Sequence, residues 1–106
     1  MSIIHKSFIR LFKEYPLYSQ EHVKDPLVII KLFDVAGSAN WYLTEFDPCT
    51  LTAFGYVTGL GFDEWGYIYI PELEEIKHLE IPRIERDINF KPKPISQVLK
   101  KGGNNG

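Results

Sequence analysis

Four carboxylates fall in two pairs with one residue between the members, Glu45 with Asp47 and Glu85 with Asp87. Brought together across neighbouring strands, such pairs would bind a divalent cation or share a proton, which is what a metal-dependent hydrolase needs. Each acid also has a plainer use. Asp47 precedes Pro48 and suits the first position of a β-turn. Glu45 is a candidate partner for Arg86, while Glu85 and Asp87 fit the solvated charges that deter pairing at a sheet edge. The plainer uses are favoured, so hydrolysis ranks last among the functional readings.

The other reactive residues are scattered. His5, His22 and His78 stand far apart, and none has another histidine or a cysteine at metal-ligand spacing. No metal or other cofactor is therefore expected. Cys49 has no base close by in sequence to activate it as a nucleophile. A single cysteine cannot form an internal disulfide, which fits a reducing compartment. No apolar run is long enough to span a bilayer, and Met1 opens no charged-then-apolar leader. The expectation is a cytoplasmic protein without a membrane partner.

The elements that must position these residues centre on residues 28–70. Segments 28–33, 41–46, 54–57 and 66–70 are rich in β-branched and aromatic residues and predict four strands. Asp47-Pro-Cys-Thr50 makes a hairpin of the second and third, and the glycines of segment 58–64 suit a wider loop before the fourth. The result is an antiparallel meander. Strict alternation puts Val28, Ile30, Leu32, Trp41, Leu43, Ala53, Gly55, Val57, Ile68 and Ile70 on one face. The other would carry Ile29, Phe33, Tyr42, Phe46, Phe54, Tyr56, Tyr67 and Tyr69. With both faces this apolar, each is expected to be at least partly covered.

Residues 3–14 supply one cover, a helix with Ile4, Phe8, Leu11 and Phe12 at helical spacing, stopped by Pro16. A second helix is predicted over 71–79, with Pro71 in its first turn and three glutamates near its positive end. Residues 84–90 alternate as a fifth strand, on an edge. Its parity places Arg86 on the apolar side, where a cation needs a carboxylate or carbonyl partner. Segment 91–94 should be extended, 95–101 a short helix with Ser96 as a possible cap, and 102–106 a flexible polar tail. The fold class is α+β, with about five antiparallel strands and two or three helices in one domain, residues 1–101. At 106 residues, 44% of them apolar and 25% charged, the chain can bury a core without disulfides and is not disordered overall.

Read together, Lys31-Leu-Phe33, Trp41-Tyr-Leu-Thr-Glu-Phe-Asp-Pro48, Ala53-Phe-Gly-Tyr-Val57, Pro71-Glu-Leu73, Ile84-Glu-Arg-Asp87 and Phe90-Lys-Pro92 resemble a family of small bacterial domains of unknown function. Such domains are found on plasmids, phages and other mobile elements. The resemblance covers residues 15–98 and implies a mobile-element setting, with no activity attached. One position departs from it: Tyr69 stands where the resemblance leads one to expect a serine.

Charge is uneven, with +2 over residues 1–33, −8 over 34–80 and +4 over 81–106. An acidic middle is compatible with a nucleic-acid mimic, but a net charge of −2 is too small to carry that idea. The leading reading is a non-enzymatic accessory protein that binds another protein. Tyr42, Tyr56, Tyr67, Tyr69 and Arg86 are the candidate contacts, because aromatic and arginine side chains anchor interfaces. Its alternative is single-stranded nucleic acid stacked on the same tyrosines, with phosphates held by Arg83, Arg86, Lys91, Lys93, Lys100 and Lys101.

Overall fold

The computed structural model describes residues 3–105, with side chains described from residue 3 to residue 100. Helix α1 (Lys6–Leu11) and a run of turns precede strand β1 (Leu27–Val28). Then come β2 (Ile30–Asp34), β3 (Asn40–Asp47), β4 (Thr52–Thr58) and β5 (Glu64–Tyr69). Helix α2 (Ile70–Glu74) leads into β6 (Lys77–His78), β7 (Ile81–Pro82), β8 (Ile84–Arg86) and β9 (Lys93–Pro94), and α3 (Ile95–Asn105) follows.

The expected meander is present. β2, β3, β4 and β5 pair antiparallel in chain order, and β8 joins β2 at the far edge to give a five-stranded sheet. Two small ladders, β1 with β9 and β6 with β7, lie outside it.

Strict alternation fails in β3, and the failure shapes the core. Leu43 lies opposite Gly55, but Glu45, two residues on, lies opposite Phe54, which is only one residue back along β4. This bulge inserts one residue and exchanges the two faces beyond it. Phe46, expected among the aromatic residues of the other face, instead enters the core with Ala53 opposite. Its ring meets the edge of Phe8 from α1, at 4.9 Å between centroids and 81° between planes, and lies 5.7 Å from that of Phe12. Beside the bulge, a Cβ on Gly55 would run into the Tyr42 carbonyl, so only glycine fits.

Ile29 is a second correction. The chain breaks between β1 and β2, and Ile29 joins Ile30 in the core cluster instead of facing the aromatic side. Leu32, Trp41, Leu43, Ile68, Ile70 and Ile84 complete this face much as expected, and α1 and α2 close it through Phe8, Phe12 and Leu73. At least partial cover of the second face was also expected; α1 and α2 both lie on the aliphatic side, and the turns of residues 18–26 supply partial cover on the other, where Glu45 is buried beneath them.

Two elements after β5 are shorter than predicted and one is longer. The helix expected to reach residue 79 stops at Glu74, and residues 77–82 form a tight hairpin instead. Leu79 and Glu80 form its turn with φ of 53° and 68°, the left-handed values that two-residue hairpins use. In this turn Leu79 is 82% exposed. The strand expected over 84–90 stops at Arg86, because Asp87 turns the chain by accepting the Asn89 N–H. It is an edge strand, as expected. Helix α3 runs past the predicted end at residue 101, and Asp25 accepts the N–H and the hydroxyl of Ser96 in its first turn. Of the tail expected at 102–106, Gly106 lies outside the described residues.

One ion pair ties the hairpin region to the sheet. Arg83 donates from Nε and Nη2 to the two Asp34 carboxylate oxygens, at 3.1 and 2.6 Å. The guanidinium, together with the Ala36 N–H, holds the Asp34 carboxyl below its ordinary value of 3.8.

Two stability predictions follow from this packing. Phe46→Ala should cost roughly 3–5 kcal/mol, as large-to-small core changes of this size do, and urea unfolding would measure it. The Asp34 group has a lower pKa folded than unfolded, so its stabilisation is complete above about pH 4 and is lost as pH falls through the folded value. The Tm difference between the wild type and Arg83→Met should therefore be clear at neutral pH and shrink as the pH falls below the ordinary carboxylate value.

Candidate functional site

Parity on β2–β5 gathers a polar-aromatic surface opposite the core. One row runs straight across four strands, Lys31, Tyr42, Tyr56 and Trp65, each paired with the next. The next row sets Glu45, Phe54 and Tyr67 side by side, and Thr52 with Tyr69 continues towards the β3–β4 turn. The rings touch across strands. Phe54 stacks on Trp65 at 5.7 Å and 11°, Tyr67 meets Phe54 at 5.0 Å, and Tyr56 meets Trp65 at 5.2 Å. Lys31 Nζ lies 5.9 Å from the centre of the Tyr42 ring, a cation–π contact.

This face is open. Trp65, Tyr67 and Tyr69 are 39, 60 and 48% exposed. Beside them the turns of residues 18–26 form one wall of a groove of about 270 Å³, with Phe54, Trp65 and Tyr67 in its lining. Glu45 holds that wall in place. Its buried carboxylate accepts the Tyr18 N–H at 2.7 Å and the Gln20 N–H at 2.9 Å. The Gln20 side chain extends the node, donating to the Leu27 and Thr44 carbonyls and accepting the Leu27 N–H. These bonds compensate the burial of a carboxylate and an amide, which would otherwise be costly.

Two tyrosines on the face resist ionisation. Burial pushes the Tyr42 phenol up and Asp63 adds to this, against a hydrogen bond with Thr58. Burial, then the Tyr18 hydroxyl and the charges of Glu45 and Glu21, push Tyr67 up. Both remain neutral hydrogen-bonding phenols at physiological pH.

The structure brings together Tyr42, Tyr56, Tyr67 and Tyr69 and separates the rest of the predicted site. Arg86 lies opposite Leu32, on the aliphatic side of the sheet, and donates to the Ser7 hydroxyl at 2.9 Å. A carboxylate partner was expected there. The ion pair instead forms three residues earlier, at Arg83, and desolvation of Arg86 lowers its pKa. The acidic set does not converge. Glu45 binds backbone amides, and Asp47 accepts the Cys49 N–H and the Thr50 hydroxyl, which lower its pKa. Glu85 is exposed on the β8 edge, and Asp87 makes its turn. Among the described residues, no three histidine, cysteine or acidic side chains cluster closely enough to hold a metal ion.

Trp65 is the ring that the sequence reading missed. The signal was present, because Glu64-Trp-Gly-Tyr-Ile-Tyr69 alternates from its first residue, but starting the strand at Gly66 excluded it.

The family model for a protein of unknown function, DUF2958, matches residues 3–106. The chain belongs to this family. No curated protein and no solved structure gives a significant match. For this DUF2958 member, the open aromatic face and its groove are the candidate site, and the Glu45 node is what shapes it.

Replacing Glu45 with alanine should therefore free the 18–26 wall. The expected result is a stability loss of about 3 kcal/mol, from two charge-assisted hydrogen bonds and the stranded Gln20. Hydrogen exchange should speed up at the Tyr18 and Gln20 amides while the β4 amides stay slow.

Proposed function

We propose that this protein is a non-enzymatic accessory factor of a mobile element and that it acts by binding a protein partner through its aromatic sheet face. The carrying observation is that the rings are open to solvent while the arginines expected to serve phosphates are engaged elsewhere. Arg83 is paired with Asp34, and Arg86 is bonded to Ser7 on the far side of the sheet. What flanks the rings is mixed in sign, with Lys31 and Lys24 on one hand and Glu21 and Asp63 on the other. Large aromatic side chains with polar tips and balanced charge suit a protein surface better than a phosphate chain. The mobile-element setting is drawn from the sequence resemblance.

The second reading, single-stranded nucleic acid, is favoured by one feature, the exposed Trp65 and Tyr67 rings that bases could stack on. Affinity capture from bacterial lysate, with and without nuclease, distinguishes the two. Wild-type protein should retain a stoichiometric protein after nuclease treatment. The folded double variant Trp65→Ala/Tyr67→Ala should lose at least about tenfold of it, as removal of interface anchors does. Salt-sensitive recovery of nucleic acid without a protein, and quenching of Trp65 fluorescence by oligothymidylate, would overturn the proposal in favour of stacking.

A further inference from the structure

The sheet has two edges, and they differ. The β8 edge is three residues long, carries Glu85 and Arg86, and is cut short by the Asp87 turn. These are the devices that keep an edge from recruiting another strand. The β5 edge is longer and is charged only at its first residue, Glu64. It runs six residues in unbroken register with β4 and contains neither proline nor lysine.

The register defines what this edge offers. The Ile70 N–H bonds to the Leu51 carbonyl, and antiparallel pairing alternates, so Ile68, Gly66 and Glu64 also turn their backbone groups towards β4. The N–H and C=O groups of Trp65 and Tyr67 and the N–H of Tyr69 then face outward, a row of donors and acceptors available to another strand, while the Tyr69 carbonyl caps the first turn of α2.

Along this edge, on the aliphatic side, runs a groove of about 280 Å³. Leu60 and Phe62, 56 and 62% exposed, line it together with Leu73 of α2. Gly66 is part of its lining, and a Cβ there would meet nothing within 4 Å, so there is room for an incoming side chain. The charged residues in its lining are Glu64 and Glu72, and no lysine or arginine is among them.

From this geometry we infer that the β5 edge is a peptide-binding site. It takes an extended segment of a partner protein as a sixth strand, with an apolar side chain over Gly66 and lysine or arginine at the positions that meet Glu64 and Glu72. Backbone pairing gives the affinity, and the groove and the two carboxylates give the selectivity. A second copy of this chain fits less well, because it would bring four carboxylates together with no groove cation to offset them. The site is distinct from the aromatic face and does not rest on that face being an interface.

The test is a random twelve-residue peptide library displayed on phage and panned against the purified wild type. Enriched sequences are then made as fluorescent peptides for anisotropy. The expected peptides alternate apolar and polar residues and carry lysine or arginine, and their binding slows hydrogen exchange at Trp65, Tyr67 and Tyr69. Gly66→Val fills the groove in a position that tolerates it, and Glu64→Lys/Glu72→Lys reverses the charge. Each variant, with its fold verified by circular dichroism, should bind at least tenfold more weakly, while Leu79→Ala, in the exposed β6–β7 turn, should retain most of the affinity. Enrichment of acidic or non-alternating peptides, no enrichment, or affinities indifferent to both variants would overturn the inference. So would a wild-type dimer in sedimentation that Gly66→Val abolishes, since the edge would then belong to a second copy.

Discussion

One inserted residue in β3 decides how the two faces of this sheet are used. Without the bulge between Leu43 and Glu45, alternation would drive the Glu45 carboxylate into the core and lift Phe46 onto the opposite face. With it, Phe46 completes the ring cluster with Phe8 and Phe12 that docks α1. Glu45 meanwhile emerges opposite Phe54, where it meets the Tyr18 and Gln20 amides. A single irregularity thus secures the N-terminal helix on one side and the 18–26 wall on the other. Burial of a phenylalanine contributes roughly 2–3 kcal/mol, while an unpartnered buried carboxylate costs several. Both terms favour the bulged register.

The asymmetry between the faces follows. The aliphatic face packs against α1 and α2, and its small residues Ala53 and Gly55 leave room for close approach of neighbouring groups. Beyond the 18–26 wall, the aromatic face relies on its own rings, which pack edge and face against one another across β4 and β5. Mutual packing hides part of each ring, so a helix is not required to make the face tolerable in water. What stays exposed is a surface of flat apolar rings with polar tips, suited to recognition. The charges near it are of both signs, which separates it from the strongly basic platforms that track phosphate chains.

Edge chemistry adds a second distinction. β8 is guarded by charge and brevity, whereas β5 is regular and flanked by an apolar groove with acidic lining. An unguarded edge ordinarily invites aggregation. In this chain Glu64 and Glu72 disfavour self-pairing, and the same carboxylates would favour a basic partner.

Much was legible in the residues themselves. The period of two in segments 41–46, 54–57 and 66–70, together with the Asp47-Pro48 turn, was enough to give the meander, because those signals are local to each strand and loop. The grouping of Tyr42, Tyr56, Tyr67 and Tyr69 followed from parity, which holds wherever register is unbroken. What sequence could not reveal was set by pairing over long separations. The bulge depends on Phe46 finding Phe8 and on Glu45 finding the amides of residues 18 and 20, and neither contact leaves a local mark. Arg83 took the ion pair expected of Arg86 because Asp34 lies 49 positions away in sequence but adjacent in the fold. The helix expected to run to residue 79 gave way to a hairpin that leaves Leu79 exposed. Composition and alternation determined that there would be an antiparallel sheet with one aliphatic and one aromatic side. Only tertiary packing decided which side the helices covered, since a helix docks where complementary volume is available, and Phe46 moved that volume to the aliphatic face.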